Sequence, residues 1–304
     1  MRKLQSASHY CTIANEWTCK HSNKGYCSVS LRSVSKYLEV KTFLLGYIRL
    51  TNVKAVDVTN DIITSLTMQL PPLIFKKITA QTCNGASVMQ GYLPGVLQRI
   101  KAKYCPFALN LHCVNHQLQI DVKCINKGHN LISRITDNCF IIVKLIKYSP
   151  KRAAALEKAK EDIKRGINAP PSYYTSLTKK LLDFCVTRWT VRYNSLHSID
   201  VNHLSLLSLF CSILLDRDER NGLKVEKVRK ITGLIRYMQS FEFLFGIKLS
   251  KMLYFEADKI ATNLQGDKVC ISSAVGYVKQ LIDRLERKKG EFETFWDEVL
   301  DLPG

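Results

Sequence analysis

The sequence predicts an α/β (α+β) fold: a mixed β-sheet built in residues 1–125, followed by an all-helical segment over residues 126–304. Three observations carry this. Three β-type runs stand close together near the start, strand-like and helix-like runs then alternate, and beyond about residue 126 apolar residues recur at three- and four-residue spacing almost throughout.

Taken in order, "YCTIANEW" (10–17), "YCSVSLRSV" (26–34) and "KTFLLGYIRL" (41–50) are rich in β-branched and aromatic residues. The turn-like "KHSNKG" and the charged "SKYLEVK" separate them, which predicts an antiparallel meander. "KAVDVTNDIITSLTMQL" (54–70) sets Val56, Ile62, Ile63, Leu66 and Leu70 at helical spacing, and Pro71-Pro72 stops it. A strand "FKKITAQTC", a helix "YLPGVLQRIKAKY", a strand "FALNLHCV" (107–114) and a helix from "NHQLQIDVKCI" follow. The order β-β-β-α-β-α-β-α fits a ribonuclease-H-like sheet, three antiparallel strands extended by parallel ones through helical crossovers; ferredoxin-like and other α/β layouts fit the pattern too.

The second half reads as helices over 130–148, 150–167, 195–218, 225–261 and 273–302, with "NAPPSYYTS" (168–176) as the clearest linker. There is no internal repeat. A length of 304 residues allows two domains at about 150 residues each.

Lys and Arg number 45 against 26 Asp and Glu, a formal charge of +19, which favours polyanionic partners through counterion release. Eleven cysteines scattered singly lack the spacing of a disulfide framework and read as reduced, mostly buried thiols. The N-terminus has no apolar core of signal-peptide length, and "HLSLLSLFCSILLD" (203–216) is too short and too polar to span a bilayer. The expectation is a soluble protein of the cytosol or nucleus with no membrane partner.

In "LHCVNH", Cys113 and His116 lie three apart where a strand gives way to a helix, placing both on its first turn beside backbone amides that favour an anion. A phosphate contact, a metal half-site and a satisfied histidine beside a buried thiol all fit; a zinc site would need a second ligand pair, and none has suitable spacing. "CVTRWTVRYNSL" (185–196) groups Arg188, Trp189, Arg192 and Tyr193, a mixture suited to base stacking and phosphate neutralisation, or equally to anchoring a helix bundle. Lys151-Arg152 and "RLERKK" (284–289) read as solvated helix faces. "NGASVMQG" lacks the spacing of a dinucleotide fingerprint, and no Gly-rich phosphate loop or nucleophile elbow occurs.

These motifs, in this order, resemble the transposase domain of the hAT superfamily, especially its domesticated zinc-finger MYM-type-protein-1-like branch, over nearly the whole chain. "YCTIANEWTCKHSNK" is similar to the first catalytic strand, "TCNGASVMQGYLPGVLQRI" to the second acidic motif, "LHCVNHQLQI" to the Cys-x-x-His motif and "CVTRWTVRYNSL" to the Arg-Trp motif. "YMQSFEFLFGIKLSKMLYFEADKIATNLQGDKVCISSA" is similar to the helical insertion.

The resemblance implies a ribonuclease-H-like mixed sheet, here incomplete, interrupted by a large all-helical insertion. In members that move DNA, three acidic residues hold two magnesium ions for phosphodiester attack. Here the first two acidic positions fall at Asn15 and Asn84, and the chain stops at "FWDEVLDLPG" before the third and before the closing part of the sheet. No zinc-binding DNA-recognition module precedes residue 10. Glu16 is a poor substitute ligand, because neighbouring strand residues face opposite sides of a sheet.

The implied function is a catalytically inactive, transposase-derived DNA-binding protein of the nucleus, without a metal or other cofactor; a cytoplasmic location is the alternative. Cys113, His116, Arg188 and Trp189 match the motifs that contact transposon-end DNA, with the Trp placed to stack on an unpaired base. A protein-interaction scaffold, with a partner or homo-oligomer formed through the helical segment, is the alternative function. A non-functional transposase fragment and an active metal-dependent nuclease with rearranged ligands complete the set.

Overall fold

A computed structural model describes residues 7, 9–19, 21–35, 37, 39–90, 95–166, 180–183, 192–216, 220, 222–266 and 269–300. The chain divides into two compact units, one made of residues 1–118 with 266–269, the other of residues 119–265 with 270–304. The expected linker at 168–176 lies outside the described residues.

The first unit is built on a five-stranded mixed sheet. Strands β1 (Tyr10–Cys19), β2 (Lys24–Val34) and β3 (Val40–Leu50) form the expected antiparallel meander. The β1–β2 turn closes on Asn23, whose φ of 51° is tolerated because a short polar side chain suits the left-handed region. Helix α1 (Ala55–Gln69), a 3-10 turn (Pro72–Lys77), β4 (Ile78–Cys83), the short α2 (Ser87–Gln90), α3 (Val96–Tyr104), β5 (Leu109–His112) and α4 (Val114–Gly128) follow. The strand order is β3-β2-β1-β4-β5, with β4 parallel to β1 and β5 parallel to β4. The division between the units falls inside α4.

Alternation sets the core. Cys27, Val29 and Leu31 of β2, with Tyr10, Thr12 and Ala14 of β1, are buried on one face of the sheet. Val58, Ile62 and Leu66 of α1 and Val96, Leu97 and Ile100 of α3 belong to the same core. Each such aliphatic side chain contributes about 1.5–3 kcal/mol on leaving water. Val56, which its spacing assigns to the buried stripe, is exposed, and Val58 stands in its place, because the i, i+4, i+8 set Val58–Ile62–Leu66 fixes the helix phase.

The β2–β3 register slips at Val29/Ser30, and the carbonyl of the extra residue, Leu45, accepts a 2.8 Å hydrogen bond from Gln69 Nε2 at the end of α1. Gln81, buried on β4, donates to Leu97 O and Asn110 Oδ1, both at 2.7 Å, and so ties β4 to α3 and β5. The expected strand from Phe75 begins only at Ile78, because Pro72–Lys77 coils as a 3-10 turn.

Among the described residues the second unit is all helical: α5 (Asn130–Lys147), α6 (Pro150–Gly166), α7 (Arg192–Val201), α8 (His203–Leu215), α9 (Val225–Met238), α10 (Phe241–Leu264), α11 (Ile271–Gly290) and α12 (Phe292–Leu300). Its core is drawn chiefly from α5, α8, α9 and α10, with Phe210 and Phe243 among its largest fully buried side chains.

Each of the three long helical runs in this half breaks once. Asn202 separates α7 from α8 at a 67° bend, its side chain bonding back to Ser198 O at 2.6 Å. Ser240 caps α10, its hydroxyl accepting from Phe243 N at 3.2 Å, and Gly290-Glu291 ends α11. No single helix among the described residues is long and apolar enough to cross a membrane; only the bent α7–α8 pair passes that test, as a pair, and α8 places Leu206, Leu209, Phe210 and Ile213 in the core.

Two glycine substitutions separate packing from propensity. A Cβ on Gly246 would lie 2.6 Å from Ile135 Cγ1 and 2.8 Å from its Cδ1, whereas one on Gly233 or Gly276 meets nothing within 4 Å. Gly246→Ala is expected to destabilise by about 1–2 kcal/mol, overpacking outweighing the helix-propensity gain. Gly233→Ala and Gly276→Ala are each expected to stabilise by about 0.5–1 kcal/mol. Denaturant midpoints of the three variants check this.

Candidate functional site

Parallel pairing sets the carboxyl ends of β4 and β5 beside the middle of β1, which runs on past that pairing to Cys19. The last register pairs are Ala14 with Cys83 and Cys83 with His112, so the next residues along the three strands are Asn15, Asn84 and Cys113. Cys113 N donates to Cys83 O at 3.4 Å, holding the third strand end against the second. Three of the residues singled out from sequence, from three distant motifs, are thus brought to one edge of the sheet, where open α/β sheets commonly bind ligands.

The edge is held by an amide used as a donor. Asn84 Nδ2 gives a 3.0 Å hydrogen bond to the backbone carbonyl of Glu16. An ionised carboxylate at position 84 has no proton to give and would turn its charge on that carbonyl. Asn15 is exposed on the opposite face from Glu16, as strand alternation requires. Glu16 pairs with Cys27 across β1–β2, and burial, reinforced by the Glu16 charge, pushes the Cys27 thiol up to about 12.

Gly85 lets two histidines close on the β4 end. A Cβ there would stand 2.5 Å from His112 Nε2 and 2.9 Å from His116 Cδ2, so no larger residue fits without moving a ring. The two rings lie 5.5 Å apart, and burial together with the neighbouring His112 holds His116 below the ordinary imidazole range. Helix α4 starts directly after Cys113, whose carbonyl accepts from Gln117 N at 3.0 Å, so the free amides of a helix N-terminus adjoin the histidines. Glu16 Oε2, Asn84 Oδ1, His112 Nε2 and Asn115 Oδ1 are buried and make no hydrogen bond among the described residues. An edge so rich in uncommitted polar atoms is chemically suited to a polar ligand.

This donor set does not fit a pair of divalent cations. Hard cations need anionic oxygens, whereas the edge offers neutral amides at 15 and 84 and a single carboxylate, Glu16, turned to the other face from Asn15. Among the described residues, no three His, Cys, Asp or Glu side chains are grouped to share a metal ion.

The remaining motif behaves differently. Arg188 and Trp189 lie outside the described residues. Arg192, four residues beyond Arg188, is only 4 % exposed; its guanidinium donates to Tyr254 OH at 3.2 Å and lies 5.8 Å from that ring. Tyr193 stacks on His197 and packs against Phe255. Arg192 anchors the helical unit from inside its core and is not a phosphate contact, while the partly buried Tyr193 packs against that core.

The cysteines correct another expectation. The ten within the described residues are free thiols, but only Cys27, Cys83, Cys105 and Cys139 are buried, while Cys113, Cys124 and Cys270 are exposed. The sequence reading overlooked His112, Asn115 and Gly85. The His-x-x-x-His spacing of 112 and 116 carried the first signal, since it joins a strand end to the following helical turn. No protein-family model matches the chain, and no curated protein sequence does.

Gly85→Ala is expected to displace both histidine rings and to lower stability by about 1–3 kcal/mol, read by histidine NMR shifts and by unfolding. Because the folded pKa of His116 lies below its unfolded value of about 6.5, its contribution to stability is intact above that pH and is lost as pH falls through and below it. His116→Gln should flatten the acid side of the stability profile, and His112→Asn should move the His116 titration up towards the ordinary value. An unchanged His116 titration in His112→Asn refutes the coupling.

Proposed function

We propose that this protein is a DNA-binding derivative of a hAT-type transposase, with a ribonuclease-H-like sheet that has lost strand-transfer chemistry. The observation that carries the reading is the register that sets Asn15, midway along β1, level with Asn84 just past the end of β4, where the resemblance implies metal-binding carboxylates. A neutral amide cannot offset the dehydration of a divalent cation as a carboxylate does, and Asn84 spends its donor on the Glu16 carbonyl. Asp at 15 and 84 would therefore not by itself restore cleavage.

Binding survives where chemistry does not. The only acidic residues in 1–118 are Glu16, Glu39, Asp57 and Asp61, so this unit is strongly basic. Phosphates would be met by the amides at the start of α4, by Cys113 and His116, and by Lys and Arg side chains that release counterions on contact. Arg188 and Trp189, outside the described residues, are proposed as further DNA contacts, and DNA as the partner implies a nuclear location, which imaging of the tagged full chain reads out.

A scaffold role has one specific observation in its favour. Phe241, Phe245, Phe292, Phe295 and Trp296 form a cluster on α10 and α12 with neighbouring ring centroids 5.3–6.4 Å apart, and Phe241 and Phe292 remain exposed. Loss of a partner or of self-association in Trp296→Ala, with DNA affinity intact, favours that role.

Fluorescence anisotropy with duplex DNA at graded salt tests the main proposal. Log affinity should fall linearly with log salt, and His116→Ala should weaken binding about 2- to 10-fold, the scale of one hydrogen bond. Magnesium should yield no nicking above background. Salt-insensitive or absent binding refutes the proposal, as does magnesium-dependent nicking that disappears in Asn84→Ala.

A further inference from the structure

We infer that the uncovered face of β1, β2 and β3 is a stacking platform for single-stranded nucleic acid, adjoining the strand-end edge at Asn15 but distinct from its histidines. The inference rests on the geometry and charge of that face and not on transposase descent.

Strand alternation puts one cross-strand row at Trp17, Tyr26 and Arg49 and the next at Asn15, Ser28 and Tyr47. Trp17 stacks on Tyr26 with centroids 5.6 Å apart and meets Tyr47 edge-on at 5.4 Å. The cluster is not core: Trp17 is 37 % and Tyr47 66 % exposed, so the rings are open to solvent. The opposite face of the same strands carries the fully buried Cys27, Val29 and Leu31.

The charge on this face has one sign. Lys24 stands on the Tyr26 side of β2, Arg49 beside Tyr26, and Arg32 further along, its Nε donating to Thr42 Oγ1 at 3.0 Å. Neither acid of the three-strand segment contributes: Glu16 turns to the covered face, and Glu39 sits in the β2–β3 connection paired with Lys41 at 2.7 Å. Exposed aromatics among cations, with no carboxylate, select an anionic partner that also offers flat rings. An unpaired nucleic-acid strand offers both, the bases stacking on the rings and the phosphates meeting the cations. In a duplex the base faces are already stacked on one another, and a second copy would set Lys24, Arg32 and Arg49 against a surface of the same sign.

Stacking and phosphate neutralisation are common to DNA and RNA, so the test uses both. The full-length protein is titrated with labelled oligothymidine and oligouridine, with a duplex in parallel, and the fold of each variant is checked by circular dichroism and melting. Tyr47→Ala, at an exposed position, and Trp17→Leu, which keeps apolar bulk but removes the ring face, should each weaken single-strand binding about 5- to 100-fold while leaving duplex affinity unchanged. Arg49→Gln should reduce the salt slope for single strands by about 0.7. Conversely, His116→Ala should lower duplex binding and leave the oligonucleotides unaffected, so the two surfaces fail separately. Single-strand affinity retained in both folded aromatic variants, duplex affinity that falls in step with single-strand affinity in them, or a concentration-dependent dimer that Tyr47→Ala dissolves, would each overturn the inference. Preference for one sugar identifies which nucleic acid the platform serves.

Discussion

The dual pairing of β1 is the constraint on which the first unit depends. One of its edges bonds antiparallel to β2 and the other parallel to β4, so its register is fixed on both sides. A one-residue slip would turn Tyr10, Thr12 and Ala14 to solvent and Cys11, Ile13 and Asn15 into the core, an exchange that burial of the first set forbids. That register decides which strand ends meet Asn84 and Cys113, and it decides that Trp17 faces out while Glu16 faces in.

The site chemistry is dominated by neutral polar groups in partly buried positions. Asn84 acts as a clasp between two strands, Gly85 makes room for two imidazoles, and burial keeps His116 away from its charged form. Such an arrangement lowers the local charge in an otherwise basic unit. It does not suit retention of bare divalent cations, which need full negative charges on oxygen.

The helical unit solves a different problem, that of a polar seam inside a bundle. Asp200 on α7 pairs with Lys248 at 3.0 Å and with Lys251, both on α10, and burial that alone would raise its pKa is outweighed by these two cations, which hold it below the usual carboxylate range. Arg192 on Tyr254 lies along the same α7–α10 contact. Buried pairs of this kind seldom add much net stability, since desolvation offsets the attraction, but they penalise any packing of the two helices that leaves a charge alone.

Much of the fold was legible because its signals are local. The three opening strands, α1 with its Pro71-Pro72 stop, and the ends of α5 and α6 follow from alternation, helical spacing and breakers, each read within a dozen residues. The breaks at Asn202, Ser240 and Gly290 were not legible, since apolar spacing runs through them unchanged and the bends satisfy packing partners far along the chain. Arg192 shows the same gap: an arginine beside aromatics in sequence suits a nucleic acid or a core equally, and only the enclosing helices assign it to the core. By itself the sequence determined the element types, the basic charge and the amides at 15 and 84. That those amides stand level with each other on neighbouring strands, that His112 joins His116 over Gly85, and that Trp17, Tyr26 and Tyr47 share one open face was decided by the tertiary structure alone, because cross-strand pairing joins residues whose local sequences carry no information about one another.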